Sequence, residues 1–449
     1  MTVQPITVSG PVTAGVATVQ RRTLGVLFTT QIVGGVGQAI GLTVGVLLVA
    51  EMAGVGASGF AQSAAVVGSA LLAVPTTWVM RRSGRRPGLV AAYLVAALGA
   101  AAVVVAAGTG WIPLLFVGFF MFGGATTAGL QARYAAVDLA PASRRGRHLS
   151  LVVWATTVGA VAGPNLAPLA GTALAGAGWG DLRLPTLAGP FAFSVLGFAL
   201  AALLMAALLR PDPLLTARAA AAGPVVEPGL AVEPGPPAAA VPGPAAGAGR
   251  AEGMRAGLAA VLASPAARLG VAAMAVGHLV MVGVMAMTPV HIGAAHPPAD
   301  TLRIVGVVLS LHIAGMFAFA PVTGWLTDRF GRRPVIGGGI ALLLVSCAVA
   351  GTAGHDSVRL SVGLFLLGLG WSATMVAGST LLSESVPAAV RPSAQGLSDL
   401  TMGLAGAAAG AVSGLVMQWS GYPTLSLLAA IAIVPLVALA VRPGTVRAA

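Results

Sequence analysis

Long apolar runs alternate with short polar breaks along almost the whole chain. A helix needs roughly 17 to 25 apolar residues to cross a bilayer, and runs of that size fall at 24–50, 58–80, 88–108, 111–138, 148–175 and 186–209. They resume at 268–292, 302–327, 335–353, 358–384, 394–418 and 422–441. The pattern predicts an all-α membrane protein with twelve transmembrane helices in two sets of six. Between the sets, Pro211 to about Arg255 is rich in Pro, Ala and Gly, as in Glu233-Pro-Gly-Pro-Pro, and cannot bury apolar surface. That segment is expected to be an extended or disordered linker on the cytoplasmic side. The predicted organisation is therefore a tail at 1–23, bundles at 24–209 and 268–441, the linker at 210–267 and a second tail at 442–449.

Arginine placement fixes the orientation. The chain has no lysine, and its arginines fall in alternate loops: Arg21, Arg22, Arg81, Arg82, Arg85, Arg86, Arg144, Arg145, Arg147, Arg210, Arg218, Arg250, Arg255 and Arg268 belong to one side, together with Arg329, Arg332, Arg333, Arg391, Arg442 and Arg447. Only Arg183, Arg303 and Arg359 fall opposite. Loops on the cytoplasmic side hold the excess of Lys and Arg, so both termini are expected inside, which an even number of spans requires. The first apolar run is too long for a signal core and reads as the first span.

Composition agrees with lipid as the solvent. Of 449 residues, 57% are hydrophobic and 8% charged, which a water-soluble domain could not carry without a large exposed apolar surface. The 62 glycines suit helices that pack by close backbone approach. The net charge of +12 would suggest a nucleic-acid partner in a soluble protein; here the loops account for it, and no nucleic acid is expected. Cys347 is the single cysteine, which excludes a disulfide framework and cysteine metal sites.

The two halves repeat. Gly84 and Gly331, like Pro87 and Pro334, are 247 apart, and Asp138 with Glu384, Pro141 with Pro387 and Arg145 with Arg391 are 246 apart. This register equates the fourth span with the tenth, as two parallel six-helix repeats require. At the inner end of the second span of each half stands a basic loop, Gly324-Trp-Leu-Thr-Asp328-Arg329-Phe-Gly331-Arg332-Arg333-Pro334 and Thr77-Trp-Val-Met-Arg81-Arg82-Ser-Gly84-Arg85-Arg86-Pro87.

These loops resemble the signature Gly-x-x-x-Asp-Arg-x-Gly-Arg-Arg of the major facilitator superfamily of transporters. The second copy matches every position; the first has Arg81 in place of the acid. The resemblance implies two six-helix bundles rocking about a midplane site, with these loops latching the cytoplasmic side. Glu384 is the expected partner of Arg332 and Arg333, and Asp138 of Arg85 or Arg86. A lone carboxylate in a span normally has a partner, so Asp399, on the eleventh span, is expected either to pair with Arg81 or to line the cavity as a proton site. The plain alternative is that the loop arginines only record topology.

In this fold the cavity is lined mainly by spans one, four, seven and ten. Their polar residues include Gln31, Gln38, Thr126, Thr127, Gln131, Arg133, His278 and Trp371. Such a sparsely charged pocket suits a neutral or modestly polar organic solute. Arg133 could bind an anionic group or reach toward the headgroups. His278, and His312 on the eighth span, are candidate proton carriers or plain inter-helix hydrogen-bonding groups. Gly163-Pro164 in the fifth span partly matches the glycine-proline motif of superfamily antiporters, which favours export. No phosphate loop, metal-spaced cluster or nucleophile elbow is present, so no enzyme activity and no cofactor are expected. Partners are a small solute, protons and lipid around a monomer in the cytoplasmic membrane. The rival readings are a proton-coupled importer and a membrane sensor or assembly protein that kept the fold.

Overall fold

The computed structural model describes residues 11–141, 144–173, 178–179, 182–183, 185–221, 248–387 and 390–441. Fifteen helices account for nearly all of it. They are α1 (Pro11–Ala53), α2 (Val55–Ser83), α3 (Arg85–Thr109), α4 (Ile112–Ala135), α5 (Arg145–Ala173), α6 (Gly189–Leu208), α7 (Pro213–Ala221) and α8 (Ala248–Ala263). There follow α9 (Pro265–Gly293), α10 (Pro298–Phe317), α11 (Ala320–Phe330), α12 (Arg332–Gly351), α13 (Ser357–Ser385), α14 (Arg391–Ile431) and α15 (Val434–Val441). A two-residue antiparallel pairing, Gly178–Trp179 with Leu182–Arg183, lies between α5 and α6.

Among the described residues, ten helices are long and apolar enough to cross a membrane, against the twelve expected. The difference lies in two places. Ser393–Val441 forms one 49-residue candidate, yet Gly421 interrupts it with φ 75 and ψ 177, between the runs 394–418 and 422–441 that the sequence separates. The other is α5, 29 residues long and carrying Pro164 and Pro168, which is not among the ten.

The stretch expected to be extended, Pro211 to about Arg255, is helical in α7 and in the first half of α8, which corrects the expectation at those two places. Asp212 followed by Pro213 explains the first helix: the carboxylate accepts from the Leu214 and Leu215 N–H groups at 3.0 and 3.2 Å, and proline suits the first helical position. Residues 222–247, like the outermost parts of both tails (1–10 and 442–449), lie outside the described residues.

Two compact units result. The first takes 1–41, 67–163 and 170–226; the second takes 42–66, 164–169 and 227–449. The spatial grouping thus departs from the sequence grouping at 42–66 and 164–169, which pack with the second unit. Small residues are the reason. A Cβ on Gly414 would stand 2.7 Å from the Gly56 carbonyl oxygen, and Ser63 Oγ donates to the Ala407 carbonyl at 2.7 Å, so the start of α2 lies backbone to backbone on α14. In the first unit an aromatic nest fills the core, with Phe122 edge-on to Phe191 and Phe198 at ring distances of 6.0 and 5.1 Å.

Candidate functional site

Each unit holds one of the two repeated loops, built alike. Gly84 and Gly331 end α2 and α11 at φ 98 and φ 91, a backbone region open to glycine, and cap the next helix. The first residue of that helix is Arg85 in one loop and Arg332 in the other. Arg85 Nε and Nη2 donate to the two Asp138 oxygens at 2.9 and 3.1 Å. Arg332 Nε and Nη2 donate to the two Glu384 oxygens at 2.9 and 2.6 Å. Both are forked, charge-assisted pairs. In each, the third guanidinium nitrogen turns back to the residue five positions earlier: Arg85 Nη1 to the Met80 sulfur at 3.8 Å, and Arg332 Nη1 to the Thr327 carbonyl at 3.2 Å. Asp328 joins the second cluster at 3.8 Å from Arg332, and Arg329 stays exposed on the last turn of α11.

Around the first loop the structure adds a residue that sequence reasoning passed over. Asp212 Oδ2 accepts from the Arg86 backbone N–H at 2.7 Å, so one carboxylate caps the starts of both α3 and α7. Arg218, one helix face further on, donates to the Arg81 carbonyl at 3.1 Å. The signal was present as Asp-Pro, a helix start, inside a stretch whose composition pointed to a linker. Asp399, the partner proposed for Arg81, lies exposed within the first turns of α14.

Deeper in the first unit, a recess of about 100 Å³ is lined by Gln31, Gly34, Gly35, Gln38, Tyr93, Ala125, Thr126, Gly129, Leu130, Arg133 and Thr156. Its polar groups are oriented by one another. The Tyr93 hydroxyl donates to Gln31 Oε1 at 3.0 Å, and Gln31 Nε2 donates to Thr156 Oγ1 at 3.1 Å. Gln38 Nε2 donates to Thr126 Oγ1 at 2.8 Å. Gly34 makes room for this: a Cβ there would stand 2.6 to 3.0 Å from the Tyr93 ring and hydroxyl.

Three expected cavity residues, Gln31, Gln38 and Arg133, line this recess together. Thr127 does not; it is fully buried and donates to the Ser69 carbonyl at 2.9 Å, because one residue along a helix turns a side chain by about 100° and leaves Thr126 on the recess face. Gln131 is also outside the lining. His278 and Trp371 meet in the second unit, where Trp371 Nε1 donates to His278 Nδ1 at 3.2 Å. That bond puts the neutral imidazole's proton on Nε2. His312 is fully buried; its Nδ1 proton goes to the Leu364 carbonyl at 2.8 Å, while Nε2 meets no partner among the described residues.

The described residues hold no cluster of three or more His, Cys, Asp or Glu suited to a metal ion. What the geometry defines is a multi-pass membrane protein with a polar recess inside an apolar bundle and a repeated arginine–carboxylate clasp. The sequence model of the Major Facilitator Superfamily matches residues 296–448. YdeG of Bacillus subtilis (strain 168), an uncharacterised MFS-type transporter, is 36% identical over 416 residues, covering 92% of this chain and 89% of that protein. The chain belongs to the major facilitator superfamily. It is also similar to the riboflavin transporter RfnT of Brucella anthropi, 27% identical over 398 residues with 85% of this chain and 84% of that protein covered. In three dimensions it resembles the nucleoside transporter NupG with a TM-score of 0.68 at 15% identity, over 95% of this chain and all of that one.

Proposed function

We propose that this transporter moves a small organic solute across the cytoplasmic membrane by alternating access, driven by a proton gradient, with export as the direction. The observation that carries this reading is the recess lined by Gln31, Gln38, Tyr93, Thr126, Arg133 and Thr156, in which Tyr93, Gln31 and Thr156 form one hydrogen-bonded chain and Gln38 and Thr126 a second pair, within a largely apolar bundle. Buried polarity of this kind in a membrane span is expensive and is kept for a cargo or an ion. A relative named for riboflavin supports an organic cargo. The partition of arginines between loops supports an orientation with both ends inside.

Proton coupling rests on His312. Its Nδ1 is committed to the Leu364 carbonyl, so Nε2 carries the lone pair that would take a proton. Asp399 and His278 are the other two proton candidates. Export rests on Gly163-Pro164 within α5.

Purified protein in proteoliposomes, tested for uptake and efflux of a panel of neutral and singly charged organic solutes under an imposed pH gradient, decides the matter. Accumulation should follow the gradient, and His312→Gln should uncouple it. Transport that ignores the gradient would remove the proton claim; accumulation only on the side opposite to that expected of an exporter would reverse the direction.

A further inference from the structure

We infer that the corner of the second unit formed by α8 and the first turns of α9 and α14 is a docking surface for an anionic phospholipid of the inner leaflet. Met254, Leu258 and Leu262 meet its acyl chains, and Arg255, Arg268 and Arg391 meet its phosphate. The choice of leaflet rests on the orientation proposed above; the choice of lipid does not.

From Met254 to Ala263, α8 is apolar on every side except at Arg255. One face packs on protein: Val261 is buried with Ala267, Leu382 and Ala394, and a Cβ on Gly257 would stand 2.9 and 3.0 Å from the Ser393 carbonyl carbon and the Ala394 nitrogen. The other half is open. Met254, Leu258 and Leu262 recur every four residues along it and are 41%, 43% and 58% exposed. A surface helix bathed in water carries a polar face, and this one has none. At about 15 Å the apolar stretch is too short to cross a bilayer. A segment of this kind, joined through the single residue Ser264 to the span α9, lies along the interface with hydrocarbon on its open side.

The edge of the stripe selects the headgroup. At about 100° per residue, Arg255 stands about 20° from Leu262 around the helix, so its stem follows the stripe while its guanidinium reaches out to the headgroups. Two more arginines sit where α8 meets its neighbours. The Arg268 N–H donates to the Ser264 carbonyl at 3.0 Å in the first turns of α9, and Arg391 opens α14 two residues before Ser393. All three side chains are exposed, and none is ion-paired among the described residues. Neither α9 nor α14 has an acid in its first turn, where the positive end of a helix favours one. Two helix starts and three guanidinium groups therefore face outward without a carboxylate, and a phosphate is their complement. A zwitterionic headgroup brings its own cation to this corner; an anionic one does not. A soluble anion would answer the charge and leave the stripe bare.

The test places the full chain in nanodiscs of phosphatidylcholine with a minor share of phosphatidylglycerol and counts the retained lipids by native mass spectrometry. Relative to the supplied ratio, wild-type protein should favour phosphatidylglycerol by at least about ten-fold. Arg255→Gln, Arg268→Gln and Arg391→Gln should each lower that preference about five-fold, and the corresponding lysine variants should keep it. Leu258→Asn should lower retention of both lipids alike, and free glycerol phosphate should displace neither. Equal retention of the two lipids by the wild type, a preference untouched by all three glutamine variants, or displacement by glycerol phosphate overturns the inference. The leaflet is read separately, from Gln395→Cys, an exposed position on α14, in a Cys347→Ser background treated with an impermeant maleimide. Labelling of intact cells overturns the orientation and the leaflet and leaves the lipid preference standing; labelling only after permeabilisation, with no lipid preference, overturns this inference and leaves the orientation standing.

Discussion

The two basic loops share a plan and differ in shelter. By its letters the second loop is the intact one, matching the family signature throughout, while the first has an arginine where the acid belongs. In space the first is the better enclosed: the side chains of Arg85 and Asp138 are 16% and 12% exposed, against 27% and 51% for Arg332 and Glu384. The cause is α7. Asp212 and Arg218 hold the chain after α6 against the loop, one accepting from the Arg86 N–H and the other donating to the Arg81 carbonyl. The lesson is that a motif's completeness and its protection from water are separate properties, and the second governs how much each ion pair contributes.

The largest expected effects come from the turn glycines. Gly84→Ala forces a side chain into a glycine-only backbone region and puts its Cβ 2.5 to 2.8 Å from the Asp212 carboxyl atoms, for a loss of about 3 kcal/mol or more. At Gly331 the nearest foreign atom to such a Cβ is Pro334 Cδ at 3.9 Å, so Gly331→Ala bears the backbone term alone, about 2 kcal/mol. Thermal unfolding of the two variants in nanodiscs would rank them; equal losses would show that Asp212 does not crowd the turn.

Next comes Asp138→Ala, which strips a sheltered guanidinium of its forked partner and should lower stability by about 2 kcal/mol. Asp212→Ala removes the cap of two helices at once and should lose about 1 kcal/mol, most of it restored by Asp212→Asn, which still accepts from the backbone. Limited proteolysis after Arg218 should quicken in the alanine variant; an unchanged rate would mean that α7 stays docked without its carboxylate. Smallest is Glu384→Ala, with under about 1 kcal/mol expected because its pair is exposed to water. Should Glu384→Ala prove as damaging as Asp138→Ala, shelter is not what separates the loops.

Much of this comparison was legible in the chain. Spacing alone equated Arg85 with Arg332 and Asp138 with Glu384, since a repeat register and a short list of charged residues in an apolar sequence leave few partners. The recess was legible in part: Gln31, Gln38 and Arg133 stand out as polar positions, but choosing Thr126 over Thr127 needs the rotation of a helix, which an apolar run with no single buried face does not reveal. Asp212 was hidden by its surroundings. Proline, alanine and glycine predominate after it, and composition averaged over the linker conceals a nine-residue helix with a good cap. The packing of 42–66 beside α14 was also beyond reach, because glycine seams carry no pattern that names their partner.

The central proposal is that the chain alternates between two states and that the clasps, each formed within its own unit, set the balance between them. Its most direct test places spin labels at Ser83→Cys and Arg329→Cys, both exposed, in a Cys347→Ser background, and measures their distance distribution in nanodiscs by pulsed electron resonance. The account predicts two populations whose ratio shifts when Asp138→Ala and Glu384→Ala open the clasps. A single distance, unmoved by those substitutions and by pH, would contradict it.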